Sequence, residues 1–274
     1  AGDYPLAPGQ SGHEGLGIVE ACPSGRYTVG ERVLLYGFDR PLFQQYVLAN
    51  DDGGCIRLPG DGEVDVILMS QLFGTVLHAF YKLDPVIGQD VVVLGQGPVG
   101  QLFNGALRNL GARRIIAVDP LAHRLEIASR MGATHTLPLG AGLVEQVRSL
   151  CDGELPPLVV EAVGKQESFQ LAASLLRRNG TLLYFGVPNK EEGRGVMSLD
   201  FLRMFINETR IITTVGPNPH FDYSPALQWI TEGRIDVRPM LTHVMPFADI
   251  QQAFTMAFEE PEKHGAVKVV MSFD

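Results

Sequence analysis

Cysteine is scarce in this chain of 274 residues. Cys22, Cys55 and Cys151 are far apart, odd in number and never arranged as Cys-x-x-Cys. This excludes a disulfide framework and a cysteine-rich zinc site, and fits three reduced thiols in a cytoplasmic protein. Charge is also sparse: 19% of residues, 31 acidic against 22 basic, with a net charge of −9. No basic run or basic helix face stands out, so no nucleic-acid partner is expected. No apolar run is long enough to cross a bilayer, so no membrane partner is expected either. The first nine residues show no signal-peptide pattern. The single tryptophan, Trp229, is expected in a core. There is no internal repeat and no low-complexity segment.

Hydrophobic residues make up 45% of the chain, enough to bury a proper core. They are organised around one stretch, residues 90–100. A run of β-branched and apolar residues ends in Gly95-Gln96-Gly97-Pro98-Val99-Gly100. The pattern reads as a buried strand, a tight turn and a helix start. Gly95 permits the turn, Gly97 lets a diphosphate approach the backbone, and Gly100 lets the helix pack close to the strand. The diphosphate would sit on the free N–H groups at the helix N-terminus, over the first turn that holds Pro98 and Val99. An apolar helical face follows over 101–110, closed by Gly111. A second strand, 113–118, then ends at Asp119, nineteen residues past Gly100. A carboxylate there should meet the adenosine ribose hydroxyls, and its charge favours NAD over NADP. Arg124 is a nearby cation that could meet a 2′-phosphate, so NADP stays as the less favoured cofactor.

Residues 1–60 read as short strands separated by glycine and proline, at 15–20, 27–35, 42–48 and 55–59, which suggests a small barrel. Residues 64–83 fit one or two packed helices. From residue 90 strands and helices alternate: strands at 134–137, 158–164, 181–186 and 211–215, helices at 124–131, 143–150 and 167–176. This predicts an α/β fold with a doubly wound parallel sheet. The tail reads as a helix over 225–232, a strand at 240–244, a helix over 250–258 and a strand at 268–271. It is expected to fold back onto the N-terminal β region.

Several stretches, in order, carry a specific likeness. They are Gly12-His13-Glu14-Gly15-Leu16-Gly17, Val29-Gly30-Glu31-Arg32-Val33, the glycine turn, and Asp119 with Arg124-Leu125-Glu126. Further on come Met131-Gly132-Ala133-Thr134-His135, Glu161-Ala162-Val163-Gly164, Gly186-Val187-Pro188 and Pro239-Met240-Leu241-Thr242-His243. Together they resemble the medium-chain dehydrogenase/reductase superfamily of zinc-type alcohol and polyol dehydrogenases, over almost the whole chain. The resemblance implies a GroES-like substrate domain over 1–75, a Rossmann NAD-binding domain over 76–217, and a return segment over 218–274 that completes the first. It also implies NAD(P) chemistry, a small alcohol or carbonyl substrate, and a homodimer or homotetramer. Val163 and Val187 are implied to present backbone groups to the nicotinamide and its ribose. Only eleven residues precede Gly12, so the chain looks shortened at its start relative to the family.

Zinc-dependent members hold the catalytic ion with a cysteine before the Gly-His-Glu segment, the histidine, and a later acid. Three protein ligands and an open position let the ion polarise an alcohol oxygen. By the resemblance His13 is the histidine ligand, Glu14 the neighbouring acid, and Gln71 stands where the later acid belongs. His13 and Glu14 would be catalytic. An amide oxygen is a weaker ligand than a carboxylate, and the cysteine has no counterpart in the chain. A catalytic zinc is therefore expected in a complete protein of this type, and a weak or empty site here. No structural zinc is expected, because no cysteine lies over 35–41. Three functions remain open: a zinc-type alcohol or polyol dehydrogenase, a zinc-independent quinone or enoyl reductase, and a catalytically silent cofactor-binding chain.

Overall fold

The computed structural model describes residues 12–36, 41–50, 54–188 and 195–273. Strands β1 (Gly15–Ile18), β2 (Arg32–Leu35) and β3 (Cys55–Arg57) form an antiparallel sheet in that order. The strand expected over 42–48 is not formed. Gln44 Nε2 donates to the Pro41 carbonyl at 2.9 Å and turns the chain. Leu42 is buried against Gly15, and Leu48 is almost fully exposed. Nor do the described residues close a barrel. Residues 37–40, where a structural-zinc lobe would open, lie outside them.

One helix, α1 (Val64–Phe80), covers the stretch read as one or two. Its apolar residues run unbroken across residue 75, so the division drawn between 75 and 76 falls inside it. Then come β4 (Asp90–Leu94), α2 (Pro98–Asn109), β5 (Arg114–Asp119), α3 (Ala122–Arg130), β6 (His135–Pro138) and α4 (Leu143–Leu150). They continue with β7 (Leu158–Glu161), α5 (Gln166–Ser174), β8 (Thr181–Tyr184), α6 (Phe201–Ile206) and β9 (Arg210–Thr213). The six strands β4–β9 are parallel, in the order β6-β5-β4-β7-β8-β9. That is the doubly wound order, with its switch point between β4 and β7. Side chains alternate across the sheet: Val91 and Val93 enter one core, Val92 and Leu94 the other. Helix α6 has no counterpart among the sequence expectations. Its signal is Asp200, whose carboxylate accepts from the Arg203 N–H at 3.0 Å as an N-cap.

The tail comprises α7 (Pro219–Thr231), β10 (Leu241–Pro246), α8 (Ile250–Phe254, continued as a π-helix over Thr255–Glu259), α9 (Pro261–His264) and β11 (Lys268–Ser272), with β10 and β11 paired in parallel. Helix α7 starts six residues before Pro225, which lies inside it. The tail does return to the N-terminal residues. Phe43 meets Phe247 and Phe254, Tyr223 packs with Leu34 and Tyr36, and Lys268 ion-pairs with Glu14. Trp229 packs on Phe73 at the main core. No helix among the described residues is long and apolar enough to cross a membrane.

At the end of the sheet away from the glycine turn, Asp90 is buried. It accepts from Arg113 Nε at 2.7 Å and Arg114 Nη1 at 3.2 Å, and both guanidinium groups also reach Asp152. Burial pushes the Asp90 carboxyl up, but the hydrogen bonds and charges of the two arginines outweigh it, and the net shift is downward. A depressed folded pKa stabilises above the unfolded value, and the gain is lost as pH falls through the folded one. Asp90→Asn should therefore lower Tm by about 4 °C or more at pH 7. The gap from wild type should shrink below about pH 4. Thermal melts across pH check this; a gap that grows in acid would refute it.

Candidate functional site

Above the sheet, the glycines of the turn do separate jobs. Gly95 adopts φ +88°, open to glycine at little cost. A methyl group on Gly100 would stand 1.9 Å from the Gly95 carbonyl oxygen, so α2 approaches the turn closer than any side chain allows. At Gly97 a methyl group would meet nothing within 4 Å among the described residues. Gly97 is also the N-cap of α2, with no side-chain cap, and the first turn holds Pro98, Val99 and no acid. Open space over an uncapped helix start can hold an anion such as a diphosphate.

Asp119 is 3% exposed. Its Oδ2 accepts from the Gln96 N–H at 2.7 Å and its Oδ1 from the Leu121 N–H at 2.9 Å. Arg124 Nη1 lies 3.7 Å from Oδ2. The carboxylate thus ties the end of β5 to the glycine turn, with lone pairs left for a ribose hydroxyl. Beneath the turn lies a buried amide ladder that sequence reasoning missed. Asn104 Nδ2 donates to Gln96 Oε1 at 2.7 Å, and Gln101 Nε2 donates to the Gln96 and Arg124 carbonyls at 3.0 and 2.9 Å. The available signal was two amides on the inner face of an apolar helix.

On the other side of the switch point, the exits of β7 and β8 lie together. Val163 is 38% exposed and Val187 56% exposed. Gly164, at φ +86°, lies so close that a methyl group there would stand 2.2 Å from the Val187 carbonyl oxygen. Glu161, fully buried, accepts at Oε1 from the Val163 and Gly164 N–H groups, both at 3.0 Å. Its sequence signal was the Glu-x-x-Gly spacing, in which only the later residues were given a role. Burial, helped by the Glu161 charge, pushes the Tyr184 hydroxyl up to about 12.

The expected metal residues lie close together, His13 and Glu14 just before β1 and Gln71 on α1, with Lys268 of β11 against Glu14. Gln71, 5% exposed, donates from Nε2 to the His13 carbonyl at 3.4 Å and to the Tyr223 hydroxyl at 3.3 Å. Its Oε1 is buried with no hydrogen-bond partner among the described residues. Burial pushes the Glu14 carboxyl up, but the Lys268 ammonium, its hydrogen bond and the His13 charge outweigh this, and the net shift is downward. Burial also pushes the Tyr223 hydroxyl up. The zinc ion implied by the family does not fit this set. Glu14 is engaged by a cation, Gln71 is a neutral amide, and no three His, Cys, Asp or Glu side chains converge as a metal site among the described residues. His78 Nδ1 lies 3.0 Å from Asp222 Oδ2 across α1 and α7, as a packed helix residue should.

These features define a Rossmann-like α/β domain joined through α1 to a small β-rich part. Residues 98–232 match the family model for zinc-binding dehydrogenases. A probable D-xylulose reductase A of Arthroderma otae is 30% identical over 243 residues, covering 86% of this chain and 66% of the relative. An alcohol dehydrogenase of Cupriavidus necator is 26% identical, over 98% of this chain and 86% of the relative. The solved zinc dependent alcohol dehydrogenase 2 from Streptococcus pneumonia, in its apo form, superposes with a TM-score of 0.86 at 23% identity. That likeness covers 100% of this chain and 86% of the other. The chain belongs to the medium-chain dehydrogenase/reductase superfamily.

Proposed function

We propose that this chain is an NAD-dependent oxidoreductase acting on a small secondary alcohol or polyol, or on the matching carbonyl compound. The observation that carries the reading is the open space over Gly97 at the uncapped start of α2, flanked by Asp119. The bound nicotinamide would supply or accept the hydride. The first turn of α2, at Pro98 and Val99, holds the diphosphate. Asp119 receives the ribose hydroxyls and repels a 2′-phosphate, with Arg124 beside it. Val163 and Val187 face the nicotinamide half. Alcohol and polyol chemistry is supported by the names of the two relatives, a D-xylulose reductase and an alcohol dehydrogenase. A homodimer or homotetramer in the cytoplasm is the setting this reading expects.

A titration followed by nicotinamide fluorescence tests the cofactor: NADH should bind more tightly than NADPH, and the reverse order would refute the assignment to NAD. Turnover of secondary alcohols and polyols tests the reaction. Tight NADH binding with no turnover of any alcohol, aldehyde or quinone would leave a silent cofactor-binding chain.

The Glu14–Lys268 pair and the Gln71 amide favour a second reading, a zinc-independent reductase of quinones or activated double bonds. Metal analysis tests this second reading: zinc below about a tenth of an equivalent after gentle purification supports it, and near-stoichiometric zinc would refute it together with the misfit of zinc at Glu14 and Gln71. NADH affinity should survive chelation within about twofold in either case, because the dinucleotide cradle contains no metal ligand.

A further inference from the structure

Glu161 is 0% exposed, at the last position of β7 in the middle of the sheet. Such a position ordinarily holds an apolar residue, as Val160 and Val159 do one and two places earlier. Among the described residues its side chain makes three hydrogen-bond contacts, all with the exit that follows. Oε1 accepts from the Val163 and Gly164 N–H groups, and Oε2 lies 3.2 Å from the same Gly164 nitrogen. Its main-chain carbonyl accepts from the Phe185 and Gly186 N–H groups at 2.9 and 3.0 Å. One residue therefore holds both exits, β7 through its side chain and β8 through its backbone. Both crossings are glycine-dependent. A methyl group on Gly186 would stand 2.1 Å from the Gly164 nitrogen and 2.7 Å from Glu161 Oε2.

The strand order says what lies above. The diphosphate rests on the turn after β4, and Asp119 at the end of β5 takes the adenosine side. The other half of a dinucleotide must then lie across the switch point, over the ends of β7 and β8. There the half-exposed side chains of Val163 and Val187 form an apolar floor. We infer that Glu161 is a positioning residue for the nicotinamide half of the cofactor: its carboxyl group fixes the Val163–Gly164 backbone against Gly186–Val187, and so sets that floor. The inference rests on the NAD reading, and it assigns the work to a side chain that touches no ligand.

Glu161→Gln keeps the shape and one acceptor oxygen but turns an NH2 group towards the Gly164 N–H. NADH and ADP-ribose, which lacks the nicotinamide, should be titrated against the whole chain, with a thermal melt of each variant. Glu161→Gln should weaken NADH about tenfold and leave ADP-ribose within about twofold of wild type. Glu161→Asp, one methylene shorter, should weaken NADH at least as much. Unchanged NADH affinity in both variants would overturn the inference, and so would an equal loss of NADH and ADP-ribose, which marks a general structural role. If wild type binds ADP-ribose but gains nothing from the nicotinamide, the inference also fails while the dinucleotide site stands. Failure of wild type to bind either ligand would overturn the NAD reading itself.

Discussion

Gly97→Asp should abolish NADH binding and leave the fold intact. The backbone at Gly97 has φ −68° and ψ −174°, open to any residue, and a Cβ there meets nothing within 4 Å. Aspartate is moreover a better N-cap than glycine by a few tenths of a kcal/mol, so Tm should hold or rise slightly. The new carboxylate would occupy the space over the helix start and satisfy the N–H groups meant for a diphosphate. NADH affinity should fall about 100-fold or more, the loss of a charge-assisted anion site together with direct overlap. Fluorescence titration beside a thermal melt reads both. Near-normal NADH binding would place the diphosphate elsewhere.

Gly100→Ala should fail in the opposite way. The added methyl group would stand 1.9 Å from the Gly95 carbonyl oxygen and 2.9 Å from its carbon, and both are main-chain atoms that cannot turn aside. The start of α2 must move off β4. That costs about 2–4 kcal/mol, as for other overpacked interior positions, and lowers Tm by roughly 5–10 °C. NADH binding should weaken with it, because the N–H groups of the first turn shift together. A variant with wild-type Tm would show that the close approach is not needed. Two glycines three residues apart thus separate space for a ligand from space for the fold.

Much of this is legible in the sequence. The parallel sheet follows from apolar strands alternating with helical periods, and β4, α2 and β5 fall where Gly95–Gly100 and Asp119 place them. The reading faltered where partners decide the outcome. Residues 42–48 have strand-forming side chains, but a strand exists only by pairing, and here Leu42 packs on Gly15 while Gln44 closes a turn. Pro225 looked like a helix start, yet α7 already runs from Pro219, because α1 holds its inner face and the side chain of Asp222 reaches back to the Asn218 N–H. At the site, the glycine turn was readable because backbone geometry demands glycine. The engagement of Glu14 was not, because Lys268 lies 254 residues away in sequence. Asp119 was placed correctly at the strand end, but its bond to the Gln96 N–H depends on how closely β5 lies beside the turn.

Helix α1 bears on how the molecule can move. It runs as one rod over Val64–Phe80 from the β-rich part to the sheet, and α7 lies against it. At Gly74 the two are so close that a methyl group would stand 2.4 Å from the Tyr223 ring. Two helices keyed together in this way share one stiffness, like a beam and its brace. A closing motion over a bound dinucleotide cannot bend that beam cheaply. Any hinge between the β-rich part and the sheet would fall where the chain leaves these helices, as in residues 81–89 before β4 and 214–218 before α7.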